Sequence, residues 1–238
     1  MTSSLIENVF LPLLGNDILN QLEDSALVSV QNASLAVTTD SYVVSPIFFP
    51  GGDIGSLAVH GTINDLAMRG AKPLFITASF ILEEGLSIDD LSRVASSLNQ
   101  ACLDADVKLV AADTKVVNRG AADRMFITTC GIGIVEKLPA PAANRAQPGD
   151  RILLSGDIGR HGIAIMSCRE GLELETAINS DSCSLHRIIQ EIIATGCDVH
   201  CLRDITRGGL ASVLNELATA SQVGILVQED AIPIHPEV

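Results

Sequence analysis

The stretch Thr38–Asp65, TTDSYVVSPIFFPGGDIGSLAVHGTIND, restricts the folds open to this chain more than any other part of it. An apolar run through Leu35–Val37 leads to Asp40, glycines at 51, 52 and 55 let the backbone turn closely, and a helix then carries Asn64 and Asp65. Strand, glycine turn and helix in immediate succession call for α/β layers, with the helix folded back onto the sheet. Asp40, Asp53 and Asp65 fall at the joints, where carboxylates gather round a divalent cation that also holds a phosphate. Each acid taken singly also reads as a helix cap or turn residue.

Composition narrows the ligand. Only 3% of the 238 residues are aromatic against 47% hydrophobic, so the core is built from Ala, Val, Ile and Leu. With no Trp, a single Tyr (Tyr42) and a net charge of -14, base stacking and polyanion binding are disfavoured, and a nucleotide needs cations to screen it. The six cysteines contain no CxxC pair and read as reduced thiols. Cys197 and Cys201 flank His200 but lack a spaced fourth ligand for zinc. No apolar run of about 18 residues spans a bilayer, and Met1–Ser4 lacks a basic leader, so a cytoplasmic protein off the membrane is expected.

Periodicity predicts a helix over Leu5–Leu22 broken near Pro12 and Gly15, then a hairpin of Ala26–Val30 and Leu35–Thr39 that puts Asp24 and Asp40 at its outer ends. A helix over Ile54–Arg69 stops at Gly70, and a strand covers Phe75–Leu82. The helix after Ser87 buries Ile88, Leu91, Val94, Ala95, Leu98 and Cys102. Val107–Ala112 reads as a buried strand ending in Asp113-Thr114-Lys115, and Met125–Val135 as a long one. The expected organisation is a first domain over 1–138, a linker over 139–150 and a partial α/β domain over 151–238. The last holds strands at Arg151–Ser155 and Gly224–Gln228 and helices around Leu185–Ile193 and Leu210–Ala220.

Among few basic residues, Lys115 sits two places after Asp113, where it meets a phosphate or developing anion. Arg207 reads either as a phosphate ligand or as the salt-bridge partner of Asp204. His60 is read as a packed helical histidine, and His161 as a glycine-loop residue open to acid–base work. GGDIG and GDIG match neither the Walker A nor the dinucleotide pattern.

Together, TTDSYVVSPIFFPGGDIG, GTINDLAMRGAKP, ILEEGL, ADTKVVNRG and LRDITRGGL resemble the HypE family of hydrogenase maturation proteins, within the aminoimidazole ribonucleotide synthetase-like ATP-binding superfamily. The resemblance implies a two-lobed α/β (α+β) fold whose first lobe forms a β-barrel across a homodimer, with an incomplete second lobe. It implies ATP and Mg2+ as cofactors, and as partners the carbamoyltransferase HypF and the HypC–HypD complex. The implied reaction is ATP-dependent dehydration of an S-carboxamide on the family's C-terminal cysteine to a thiocyanate, the cyanide precursor of [NiFe] hydrogenase. By resemblance the ATP site takes Asp24, Asp40, Gly51, Gly52, Asp53, Asn64, Asp65, Asp113, Thr114, Lys115 and Arg207; Asp40, Asp65 and Asp113 hold the metal, and Lys115 and Asp40 are catalytic.

The chain departs from the family pattern in having Glu23-Asp24 where two aspartates are usual, which is expected to shift a metal contact, and Ala112 where glycine is usual. An HG-type segment and a cysteine-terminated tail are absent, so a shortened chain unable to modify itself is expected. Other readings are a non-catalytic dimeric platform for maturation partners, or another ATP-dependent enzyme of the superfamily.

Overall fold

Strands whose side chains alternate between a covered and an open face pair into one mixed sheet, seen in a computed structural model that describes residues 6–170 and 178–238. Its strands are β1 (Ala26–Val30), β2 (Ala33–Tyr42), β5 (Lys72–Glu83), β6 (Lys108–Val117) and β7 (Met125–Val135), in the order β1-β2-β7-β5-β6. All neighbours are antiparallel except β5 and β6, which run parallel. A parallel pair needs a long crossover, supplied here by a helix. Two short strands, β3 (Phe48–Phe49) and β4 (Gly52–Asp53), form a separate hairpin.

The first hairpin turns on Gln31 and Asn32 alone, with Gln31 at φ 55, tighter than the four-residue turn expected. β2 then continues to Tyr42, so Asp40 lies inside the ladder opposite Thr129 rather than at a strand exit.

Helices α1 (Ile54–Met68) and α2 (Ile88–Asp104) cover one face of the sheet. Two glycines allow this closeness. A Cβ on Gly131 of β7 would fall 2.7 Å from Thr62 Cγ2, and one on Gly55 would fall 2.5 Å from the Val94 carbonyl oxygen of α2. Ser87 caps α2 by accepting from Asp90 N at 3.0 Å. The buried stripe is Val94, Leu98, Ala101 and Cys102, whereas Ile88 is 73% exposed and Ala95 also faces out. Expected as buried, these two lie on the outer side of the helix, which presents a narrow face to the sheet.

Beneath α1 a polar trio is sealed in. Thr62 Oγ1 donates to Ala58 O at 2.8 Å and sits 2.5 Å from Thr129 Oγ1 and 3.1 Å from Tyr42 Oη. Both threonines are essentially without solvent contact. Thr62→Val keeps the shape but strands the buried Thr129 hydroxyl and takes one partner from Tyr42, so it is expected to cost about 2 kcal/mol. Urea unfolding checks this; a loss below about 0.5 kcal/mol would mean the trio contributes nothing net.

β6 departs from expectation. KLVAA reads as a core strand, yet β6 is the sheet edge and nearly every residue on it is exposed, Val110 at 54% and Val116 at 69%. Its lower neighbour β5 keeps Phe75 and Ile81 open on the face away from the helices.

After β7 come α3 (Arg160–Glu170), α4 (His186–Ala194) and α5 (Gly209–Ser221). α3 was not anticipated; it places His161 in a first helical turn instead of a loop. Ile189 of α4 packs with Ala67 and Met68 of α1, with Ile192, Ile193 and Leu202 around them. Residues 151–155 and 224–228, expected as strands, join no ladder among the described residues, and Leu153 and Leu226 are 88% and 89% exposed. An extended segment becomes a strand only where a neighbour takes its backbone hydrogen bonds, and no described segment lies alongside. Ahead of the sheet, Ile6–Phe10, Leu11–Leu14 and Leu19–Gln21 are short helical turns interrupted at Gly15; Leu5 of the expected helix lies outside the described residues. All six cysteines are free thiols.

Candidate functional site

Four aspartates from separate parts of the chain lie near one another beside the second half of β2. Asp40 comes from β2 itself, Asp65 from α1, Asp24 from the approach to β1, and Asp204 from the approach to α5. Thr38 Oγ1 donates to Asp65 Oδ2 at 2.8 Å and lies 3.1 Å from Asp24 O, tying α1 to that approach. Asp24 Oδ1 is ion-paired with Arg203 Nη1, and Arg203 Nη2 donates to Leu22 O at 2.8 Å.

The cluster is charge-strained. Burial raises the Asp65 carboxyl to about 8, with Asp204, Asp24 and Asp40 adding repulsion. Burial likewise lifts Asp24 to about 7 against the pull of Arg203. Asp204 is raised, again chiefly by burial. Asp65 and Asp24 are thus poised to hold a proton near neutrality, the condition a divalent cation relieves. Asp24 Oδ2 is buried with no hydrogen-bond partner, which also suits a cation. Among the described residues no three acid, imidazole or thiol groups converge as a ready-made cage, so such a cation must take further oxygens from its ligand.

Several expected residues serve other ends. Asp53 caps α1: its Oδ1 accepts from Gly55 N (2.7 Å), Ser56 N (3.1 Å) and Ser97 Oγ (2.5 Å). The helix N-terminus therefore already has its anion. Asn64 Nδ2 donates to Cys183 O at 3.0 Å, and its Oδ1 accepts from Leu185 N at 2.8 Å, so it fastens the run before α4. Gly51 (φ +88) turns against that same run, while Gly52 packs against Ser56 and Phe49. A Cβ on Gly51 would lie 2.8 Å from Ser180 N, which donates to Pro50 O, so one side of this turn is packed on that run although Gly51 itself stays exposed. His60 and His161 each hold a serine there, Ser182 and Ser180. Burial lowers both histidines, keeping them neutral. Arg207 is exposed ahead of α5, and Arg203, not Arg207, acts on Asp204.

Asp113, Thr114 and Lys115 are not brought to the cluster within one chain. Asp40, Thr129, Ala78 and Ala112 form one cross-sheet row, which puts β6 three strand spacings, about 14 Å, from Asp40. Thr129 and Ala78 face the helices, so Ala112 and Thr114 share that face while Asp113 and Lys115 point to the open one with Ser79 and Ile81. Glu23 also turns away from the cluster, to Arg69 (3.0 Å) and Ala143 N (2.9 Å), so its extra length shifts no contact among the aspartates.

Known proteins share this framework. Residues 22–135 match the model for the AIR synthase related protein, N-terminal domain, and residues 147–238 that for the C-terminal domain. Carbamoyl dehydratase HypE of Rhizobium leguminosarum bv. viciae is 50% identical over 235 residues, 98% of this chain and 67% of the relative. The chain belongs to the HypE family. A HypE–HypF complex superposes with TM-score 0.94 at 47% identity, covering 99% of this chain and 76% of that one. HypE in complex with ATP gives TM-score 0.85 at 50% identity, over 99% and 70%.

In this HypE-family chain the residues that sequence reading missed are Arg203 and Asp204. Both sit in LRDITRGGL. The available signal was the adjacent Arg-Asp pair before a glycine-opened helix, a position from which side chains leave the helix and reach a neighbouring strand.

Proposed function

We propose that this chain is a HypE-type carbamoyl dehydratase of hydrogenase maturation, binding Mg-ATP at the Asp24, Asp40, Asp65 and Asp204 corner. The gathering of Asp24 and Asp65 round Thr38, with Asp40 and Asp204 close enough to repel Asp65, carries the assignment. Identity to relatives named carbamoyl dehydratase, and the fold shared with HypE solved in complex with ATP, support it. A magnesium ion held by Asp40 and Asp65 would neutralise phosphate charge and polarise the transferring phosphoryl group.

The chemistry converts R–S–C(=O)–NH2 and ATP to R–S–C≡N, ADP, phosphate and a proton. The amide oxygen takes the γ-phosphoryl group, the nitrogen loses its two protons, and the oxygen leaves with phosphate. Asp40, half-exposed beside the cluster, is the acceptor for a nitrogen-borne proton. Lys115 answers the charge that develops on the transferring group.

For Lys115 and Asp113 to do this they must reach a cluster other than their own. The exposed β6 edge and open sheet face are what a second copy would cover, and a homodimer closed there lets β6 of one protomer serve the acid corner of the other. The fold shared with the HypE–HypF complex extends the reading to HypF as a partner.

Mg-ATP titration tests it. Asp40→Ala and Lys115→Ala are each expected to weaken binding at least about tenfold, and parent-like binding by both would sink the assignment. Equal amounts of Asp65→Asn and Lys115→Ala chains, unfolded and refolded together, regain about a quarter of the parent's binding sites if the site is shared between protomers. A site within one chain regains none.

A further inference from the structure

The connection from β7 to α3 is fastened to the stretch before Arg203 by an unbroken chain of charge. Arg145 Nη2 donates to Asp198 Oδ1 at 2.9 Å, and Asp198 Oδ2 lies 3.3 Å from His200 Nε2. On the other side of the ring, His200 Nδ1 lies 2.8 Å from Asp150 Oδ2, which also accepts from Gln147 N at 2.9 Å. Both ring nitrogens thus face carboxylate oxygens. A neutral imidazole has a single N–H and satisfies one of them; only the imidazolium donates to both. Backbone contacts frame the ring, Ala142 N donating to His200 O at 3.0 Å and Arg145 Nη1 to Val199 O at 3.3 Å.

We propose that His200 is a protonation latch: its charged ring fastens the connection 137–150 to residues 197–201, and loss of the proton releases one carboxylate and loosens that connection. The same geometry leaves His200, flanked by Cys197 and Cys201, no ring nitrogen free for a metal. Both nitrogens of the ring are already engaged, and the Cys201 thiol donates to Ala142 O at 3.0 Å.

Asp150 raises the His200 value above the ordinary 6.5, with Asp198 adding to it. His200 in turn lowers Asp150, and Arg145 lowers Asp198. Lys137 Nζ points to Cys197 O at 3.3 Å, and the Cys201 thiol is pushed up by burial, so neither competes for the proton. The sign follows. Because the folded value is raised, the latch is fully closed below the ordinary imidazole value and opens as pH climbs through the raised one. Its position gives it reach: Ala143, one residue past the backbone bond to His200, donates to Glu23, whose neighbour Asp24 belongs to the acid cluster.

Two measurements test it on the full chain. Proton NMR of the His200 ring is expected to show a midpoint above the free-imidazole value, falling toward it in both Asp150→Asn and Asp198→Asn. Limited proteolysis within residues 137–150, normalised at each pH to an unstructured peptide, is expected to speed up about threefold between pH 6 and pH 8.5. In His200→Gln the normalised rate should change with pH markedly less than in the parent. A His200 midpoint at or below the free value, or the same pH response in His200→Gln as in the parent, overturns the latch.

Discussion

Glu23→Ala is expected to destabilise the fold by about 3–5 kcal/mol, a large share of what a domain has to spare. Arg69 caps α1 with its side chain 5% exposed, and Glu23 is 9% exposed beside it, Nη1 to Oε1 at 3.0 Å. Arg69 Nε and Nη1 make no well-aligned hydrogen bond, so the Glu23 charge is what compensates the buried guanidinium among the described contacts. The same carboxylate accepts from Ala143 N at 2.9 Å, so one substitution strands a buried cation and a buried amide together. The ion pair itself is a weaker stabiliser than this figure suggests. Glu23→Ala combined with Arg69→Met should recover most of the loss, because the cost lies in the unpaired charge rather than the missing bond. Denaturant midpoints of the two singles and the double decide it, and a Glu23→Ala loss under 1 kcal/mol would show that water reaches Arg69.

The second large effect is double-edged. Asp65→Asn should cut Mg-ATP affinity by a hundredfold or so, about 3 kcal/mol, through the lost charge, while making the ligand-free chain more stable at alkaline pH. With Asp65 held at about 8 and Asp24 at about 7, the folded state keeps protons that the unfolded chain releases near 3.8. Stability contributed by these groups therefore falls as pH rises from about 4 to about 8. Asparagine keeps an acceptor for Thr38 Oγ1 without the buried charge. Melting temperature of the ligand-free parent should drop between pH 6 and pH 8.5, and the drop should be smaller in Asp65→Asn. A parent melting temperature that rises over this interval would contradict the charge strain described for the cluster.

How far the sequence could lead depended on whether a feature was local. α1 was legible because Asp53, its glycine turn and the Gly70 stop lie within one short span, and α2 because Ser87 caps a periodic run. The role of Asp53 as a cap was visible as the simpler of two readings, and three donors on one oxygen select it. The position of β6 was not legible. An apolar strand beside a helix reads as central, and only the pairing order reveals it as an edge. That order also decided the site. Alternation along β2 and β6 groups Thr38 with Asp40, and Asp113 with Lys115, but which face each group takes depends on the strands between. Asp204 escaped because it was matched with Arg207 by proximity in sequence, whereas Arg203 is the residue that turns inward.

The strand order also dictates when the sheet can exist. β7 occupies the middle, between β2 and β5, yet it is the last of this sheet's five strands to be synthesised. As the chain emerges from the ribosome, β1 with β2 and β5 with β6 can form only as two unconnected pairs. Nothing in the strand order pairs β2 with β5 directly, so the sheet beneath α1 is continuous only once residues 125–135 are in place. The five-stranded sheet can therefore be completed only after translation has passed Val135.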